Sequence, residues 1–227
     1  MFYRNSRPTG ACVAVFIVLA GWSARAQTVS EAQFQRPGKL RVGESVAGRP
    51  IEVEVFGEGD DTLLVLATIH GNEAAGTPLL EKFADWLSQH PDAWQAKRVV
   101  LLHVANPDGM ATNQRTNLRE VDLNRNFPAG NWSDADGKPH GPTPLSEPES
   151  RAVMRVVCQY FPDRVVSIHQ PLACIDYDGP GKALAEAMAA ACPLPVRKLG
   201  GRPGSLGSFV GEVLERPIIT LELPRDA

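Results

Sequence analysis

His70 and Glu73 lie three residues apart in Ile69-His70-Gly71-Asn72-Glu73, His169 closes Ser167-Ile168-His169, and Glu222 stands in Leu221-Glu222-Leu223-Pro224. Two imidazoles and one carboxylate fill three corners of a zinc tetrahedron and leave the fourth for water. That donor count marks a catalytic rather than a structural site. A carboxylate in an apolar strand ending is costly unless it is paired or functional. Beside a metal, a partly desolvated carboxylate can take a proton from water. Each residue also has a plainer alternative. His70 can be a satisfied core histidine, Glu73 a first-turn acid favoured by the helix dipole, and Glu222 the partner of a nearby arginine.

A second group of polar residues fills Val121-Asp122-Leu123-Asn124-Arg125-Asn126-Phe127-Pro128. Arg125 can bind a carboxylate through two parallel hydrogen bonds, and Asn124 can add a donor to it. Upstream, Arg115 in Gln114-Arg115-Thr116-Asn117 is a guanidinium able to stabilise an oxyanion. The alternatives are loop-stabilising roles for Asn124 and Arg125 and a solvated surface position for Arg115.

These residues need elements to position them. Short strands are expected at 40–44 and 51–56, and a buried strand at 62–69. Residues 73–90 have helical spacing, with Leu79, Leu80, Phe83, Trp86 and Leu87 on one stripe. His70 is thus expected to end a strand and Glu73 to start a helix. A strand at 98–105 leads to the turn signal Asn106-Pro107-Asp108-Gly109. Residues 110–145 read as a long functional loop. Ser146-Glu147-Pro148-Glu149 reads as a capping box that opens a helix to about Tyr160. Then follow a strand at 164–169, helices at 181–192 and 206–214, and a strand at 217–223. The alternation predicts a single-domain α/β/α sandwich with a central mixed, largely parallel twisted sheet. Ligands in such sheets collect beyond the carboxyl ends of the strands. His70, Asn106, His169 and Glu222 all fall at or near such ends. His103 is expected to be packed, His90 and His140 exposed.

The chain has 227 residues, 43% apolar and 22% charged, enough for one domain with a substantial core and unlike a disordered chain. A net charge of −3 without a basic stripe argues against nucleic acid as a partner. At the N-terminus Arg4 and Arg7 precede an apolar run at 11–22, followed by Ala24-Arg25-Ala26. That order reads as a cleavable secretory signal over 1–26, its apolar run too short for a comfortable membrane span; the alternative is an uncleaved membrane anchor. A polar leader at 27–38 and a catalytic domain at 39–227 follow. The expected product is secreted or periplasmic, with no stable membrane insertion after cleavage. Cys12 leaves with the signal; Cys158, Cys174 and Cys192 remain. Cys158 is expected in the core, and Cys174 and Cys192 either paired or free.

The ordered set His-Gly-Asn-Glu, Asn-Pro-Asp-Gly, Arg-Thr-Asn, Val-Asp-Leu-Asn-Arg-Asn-Phe-Pro, Ser-Glu-Pro-Glu, Ser-Ile-His and Leu-Glu-Leu-Pro resembles the zinc carboxypeptidase family. The resemblance runs from about residue 40 to the end. It implies one Zn²⁺ held by His70, Glu73 and His169. It also implies Asn124 and Arg125 on the substrate's terminal carboxylate, Arg115 on the scissile carbonyl, and Glu222 as general base. His169-Gln170-Pro171-Leu172-Ala173-Cys174 and Pro203-Gly204-Ser205-Leu206-Gly207-Ser208 are similar to the branch that cuts the γ-D-glutamyl–diaminopimelate bond of murein peptides. A small peptide or muropeptide is the substrate this implies. Asp176 and Asp178 would then be candidates for the extra ammonium of diaminopimelate, or else part of a solvated loop. Digestive members carry a capping tyrosine between the third ligand and the base, and residues 197–221 contain none. The chain ends five residues after Glu222, where relatives continue into a closing helix, so it reads as short at that end. Two rival readings are an N-acyl amino acid hydrolase of the aspartoacylase or succinylglutamate desuccinylase type, and an inert wall-peptide binding protein.

Overall fold

The computed structural model describes residues 36–133 and 140–227. The signal and residues 27–35 of the leader therefore lie outside the described residues. Among the described residues, no helix is long and apolar enough to cross a membrane.

One seven-stranded sheet organises the chain, in the order β1-β2-β4-β3-β5-β7-β6. Its strands are β1 (Leu40–Glu44), β2 (Pro50–Phe56), β3 (Asp61–Ala67), β4 (Lys97–Leu102), β5 (Arg164–His169), β6 (Leu172–Asp178) and β7 (Ile218–Pro224). The central four strands, β4, β3, β5 and β7, run parallel to one another. The flanking pairs β1–β2, β2–β4 and β6–β7 are antiparallel. The sheet is mixed with a parallel centre, as the alternation of elements predicted.

The centre is buried on both faces, which explains its near-continuous apolar strands. Leu63, Val65 and Ala67 of β3 point into one core with Leu79, Phe83 and Leu87 of helix α1 (Gly76–Gln89). Leu64 and Leu66 point into the other, with Val153, Val156 and Val157 of α3 (Pro148–Tyr160) and with Phe127. Helix α2 (Pro107–Thr112) follows β4, and α4 (Lys182–Ala189) covers the first core.

Several local expectations are corrected. Strand β3 stops at Ala67, and α1 starts at Gly76. His70 and Glu73 therefore sit in the turn between them, closed by a Glu73 N–H to His70 C=O bond of 3.0 Å. Asn106-Pro107-Asp108-Gly109 starts α2, with the Asn106 side chain accepting from the Gly109 amide as N-cap. The capping box does not form: Glu147 is the N-cap of α3 and makes no side-chain cap bond. Instead Glu149 accepts from the Val46 amide and from Asn117, because distant donors satisfy a fully buried carboxylate better than its own helix end. The stretch 206–214 is one helical turn, α5 (Leu206–Ser208), running into a π-turn at Phe209–Val213.

Strand β6 has no counterpart in the sequence reading. Its alternation places Ile175 and Tyr177 against the apolar core and leaves Cys174, Asp176 and Asp178 on the other face. Buried acids make such a strand look like a loop. Cys158 is exposed on α3, whereas Cys174 and Cys192 are buried, and all three are free thiols. His103 is packed as expected, but His140 is buried too, with its ring nitrogen bonded to the Ser133 carbonyl at 2.9 Å.

Candidate metal centre and active site

The backbone makes an unusual turn at the end of β3. Thr68 adopts a positive φ of 55°, a costly conformation for a β-branched residue. It is held by the Asn106 amide, which donates to Thr68 C=O at 2.9 Å. Gly71 follows His70 because nothing larger fits: a Cβ there would lie 2.0 Å from the Gly109 carbonyl carbon. This turn aims His70 and Glu73 toward the carboxyl end of β5, where His169 is the last strand residue.

The three side chains converge. Glu73 Oε2 lies 2.9 Å from His70 Nδ1 and 2.9 Å from His169 Nδ1, and the two Nδ1 atoms are 3.2 Å apart. Tetrahedral ligands at zinc bond lengths stand roughly 3.3 Å from one another, so the triangle is close to the size of a zinc cage. The outer ring nitrogens are both engaged. His70 Nε2 donates to Asp122 Oδ1 at 3.1 Å, and His169 Nε2 lies 3.0 Å from Ser167 Oγ. Partners on Nε2 leave Nδ1 as the metal-facing atom. Burial opposes ionisation of Glu73, but its bonds from His169 and His70 hold the carboxyl far below the usual range, in the anionic form a metal needs. The residues present fit a divalent ion of this kind.

Glu222 stands beside this triangle because of sheet register. The parallel ladder pairs His169 of β5 with Glu222 of β7, and directly paired residues share a face. The Glu222 carboxylate is buried and accepts from the Leu172 amide at 3.3 Å rather than from an arginine. Burial, with the nearby charge of Glu73, raises this carboxyl above its ordinary value.

The long loop supplies the cationic side. Arg115 donates from Nε to Asp122 Oδ2 at 3.0 Å and from Nη1 to Glu73 Oε1 at 2.9 Å, while its side chain remains 43% exposed. Asp122 therefore bridges a metal-triangle histidine and Arg115, and its Oδ1 also accepts from the Asn124 amide. Burial disfavours its charge, yet the His70 bond and the surrounding cations hold the carboxyl well below the usual range. Asn124 spends its side-chain oxygen on the Leu206 amide at 2.9 Å, which leaves its amide N–H groups to donate. Arg125 is half-buried, and burial with like charge from Arg115 and Arg202 weakens its hold on its proton. Such a group gains from an incoming anion.

All the residues singled out from sequence thus meet around one cavity of about 300 Å³, which His70, Glu73, Arg115, Asn124, Arg125 and His169 line together with Glu222. Residues not assigned a role from sequence are Asp122, Ser167, Asn106 and Arg202. Asp122 was within reach: a carboxylate backing a metal histidine is a recurrent arrangement, and it lies in the same polar segment. Asn106 joins the two sides, its side chain donating to Ile69 C=O and Thr116 C=O.

The zinc carboxypeptidase family model matches residues 26–180, a span that contains the metal triangle, Arg115, Asn124 and Arg125 but not Glu222. The chain is similar to murein peptide amidase A of Escherichia coli (strain K12), 34% identical over 205 residues, covering 83% of this chain and 82% of the relative. It is 33% identical to murein peptide amidase A of Vibrio campbellii over 208 residues, covering 80% and 77%. Among solved structures, murein-tripeptide amidase from Escherichia coli O157 superposes with a TM-score of 0.64 at 30% identity, covering 88% of this chain and 90% of that one. Carboxypeptidase A from Helicoverpa armigera superposes with a TM-score of 0.70 at 21% identity, covering 82% and 59%, and shares the fold.

Proposed function

This chain belongs to the zinc carboxypeptidase family of hydrolases, and from that premise we propose that it cleaves the bond before a C-terminal residue, with the γ-D-glutamyl–meso-diaminopimelate bond of murein peptides as its target. The observation that carries the chemistry is the Nδ1–Nδ1–Oε2 triangle of His70, His169 and Glu73 with Glu222 on the adjoining strand. Likeness to the murein peptide amidases supports the substrate.

His70, Glu73 and His169 would hold the zinc, which when bound supplies a Lewis acid for water and for the scissile carbonyl. Arg125 and the Asn124 amide grip the terminal carboxylate and fix the substrate's register. Glu222 takes a proton from the attacking water as its oxygen bonds to the carbonyl carbon. Arg115, half-exposed and bonded to Glu73 beside the metal triangle, donates to the oxygen that becomes negative. The carbon–nitrogen bond then breaks, and Glu222 returns its proton to the leaving amine. A carboxyl raised by burial suits that return. We also propose export to the periplasm or beyond, which rests on the basic, apolar and small-residue order of residues 1–26.

The test is direct. Zinc-loaded protein is incubated with L-Ala-γ-D-Glu-diaminopimelate, with ordinary C-terminal peptides and with N-acyl amino acids, and products are identified by mass. Release of diaminopimelate is expected. Activity confined to N-acyl amino acids would move the chain to the acylases, and inertness on every substrate would make it a binding protein.

A further inference from the structure

The cavity holds more charged groups than the hydrolytic scheme uses. Beyond Glu73 and Glu222 its walls carry Arg115, Arg125, Arg202, Asp176 and Asp178. Arg115 is engaged by Glu73 and Asp122, and Arg125 is assigned to the terminal carboxylate. Asp178 is neutralised by Lys198 at 2.8 Å. Asp176 and Arg202 remain.

Asp176 lies on β6 opposite Thr220, one same-face step from the pair Cys174 and Glu222. That step is about 7 Å along the strands, so Asp176 stands one side-chain length beyond the base. It is 5% exposed, and the hydrogen bond to its Oδ1 comes from the Leu199 amide at 2.8 Å. Burial, and the charge of Asp178, raise its carboxyl above the ordinary value. A buried carboxylate satisfied by amides alone gains most from an incoming cation. Among the described residues the Arg202 guanidinium makes no hydrogen bond or ion pair, and it stands close enough to Arg125 to disfavour that residue's charge. Two guanidinia and one buried carboxylate match a leaving residue with two carboxylates and one ammonium.

We propose that Asp176 and Arg202 form a receptor for the far end of the leaving residue's side chain, Asp176 taking an ammonium and Arg202 a second carboxylate. Diaminopimelate has this arrangement, so the proposal rests on the hydrolytic reading above and adds how the site selects its leaving residue. Asp178, paired with Lys198, holds the wall and takes no part.

Three γ-D-glutamyl tripeptides test it: one ending in meso-diaminopimelate, one in lysine, which lacks the distal carboxylate, and one in 2-aminopimelate, which lacks the ammonium. Asp176→Asn keeps an oxygen for the Leu199 amide. It should lower the kcat/KM ratio of diaminopimelate over 2-aminopimelate at least about tenfold, as expected for a charged hydrogen bond. Arg202→Gln should lower the ratio of diaminopimelate over lysine by a few-fold. Ratios that stay at wild-type values, or an equal loss on all three substrates, overturn the receptor while leaving the hydrolytic reading intact. Calorimetry with free meso-diaminopimelate separates the two ideas. Binding that Asp176→Asn weakens, in a protein that cleaves none of the tripeptides, retains the receptor and overturns the hydrolysis. Neither binding nor turnover overturns both.

Discussion

The two sides of the cavity are built by different physics. His169 and Glu222 face each other across one rung of a parallel ladder, and His70 and Glu73 hang from the next strand's end. Their separations follow from backbone hydrogen bonds in a sheet buried on both faces. Arg115, Asn124 and Arg125 come from a loop with one short 3₁₀ turn, Leu123–Arg125. That loop is held by side chains. Asn117 accepts from the Arg119 and Val121 amides and donates to Glu147 and Glu149, and Asn126 donates to the His140 and Thr143 carbonyls. The loop depends on individual amides, each buried and each with several partners.

The largest effect should come from the ladder side. Glu222→Gln removes the proposed proton acceptor without touching the triangle, so kcat should fall by about 10²–10⁴-fold while zinc content, measured by elemental analysis, stays at the wild-type level. Turnover at the wild-type rate would dismiss Glu222 as base.

Asp122 probes whether the two sides are separable, because it bonds to both His70 and Arg115. Asp122→Ala should weaken zinc binding by about 10–100-fold in a chelator competition and also lower kcat/KM. Loss of kcat/KM with full zinc affinity would place Asp122 on the loop side alone.

Asn126→Ala tests the loop by itself. It strips partners from the Glu147 amide and two carbonyls, so unfolding should become easier by about 1–3 kcal/mol in urea titrations, with zinc affinity retained. A fall in zinc affinity as large as that of Asp122→Ala would show that the metal turn relies on the loop.

The smallest effect is a pH dependence on the sheet side. Burial pushes the His103 imidazole below its ordinary value of 6.5, although Glu81 and Glu54 pull it back. The folded chain therefore binds this proton less readily than the unfolded one. Its contribution is present above about 6.5 and is lost as pH falls toward the lowered value. His103→Gln should flatten the urea midpoint across that interval. An equal slope in wild type and variant would remove His103 as the cause.

Much of the ladder side was legible in the sequence. Apolar runs ended near His70 and His169, and a lone acid within Ile218–Pro224 stood out because burying it is costly. Strand β6 was not legible, because Asp176 and Asp178 face a polar cavity and break the expected pattern. The capping box failed for a related reason: Glu149 found partners 32 and 103 residues away, which no local rule can foresee. Cys158 was misplaced because its helix buries the neighbouring Val156 and Val157 instead.

Composition and spacing alone determined the donor types, the lone acid in the last apolar strand, the cationic loop and the alternation that makes a parallel-centred sheet. The tertiary structure decided which atoms meet. Strand register put Glu222 beside His169, and the close approach at Gly71 turned His70 and Glu73 inward. Asp122 became the joint between His70 and Arg115. Those choices depend on contacts between residues far apart in the chain, and only the packed sheet brings them within a few ångströms.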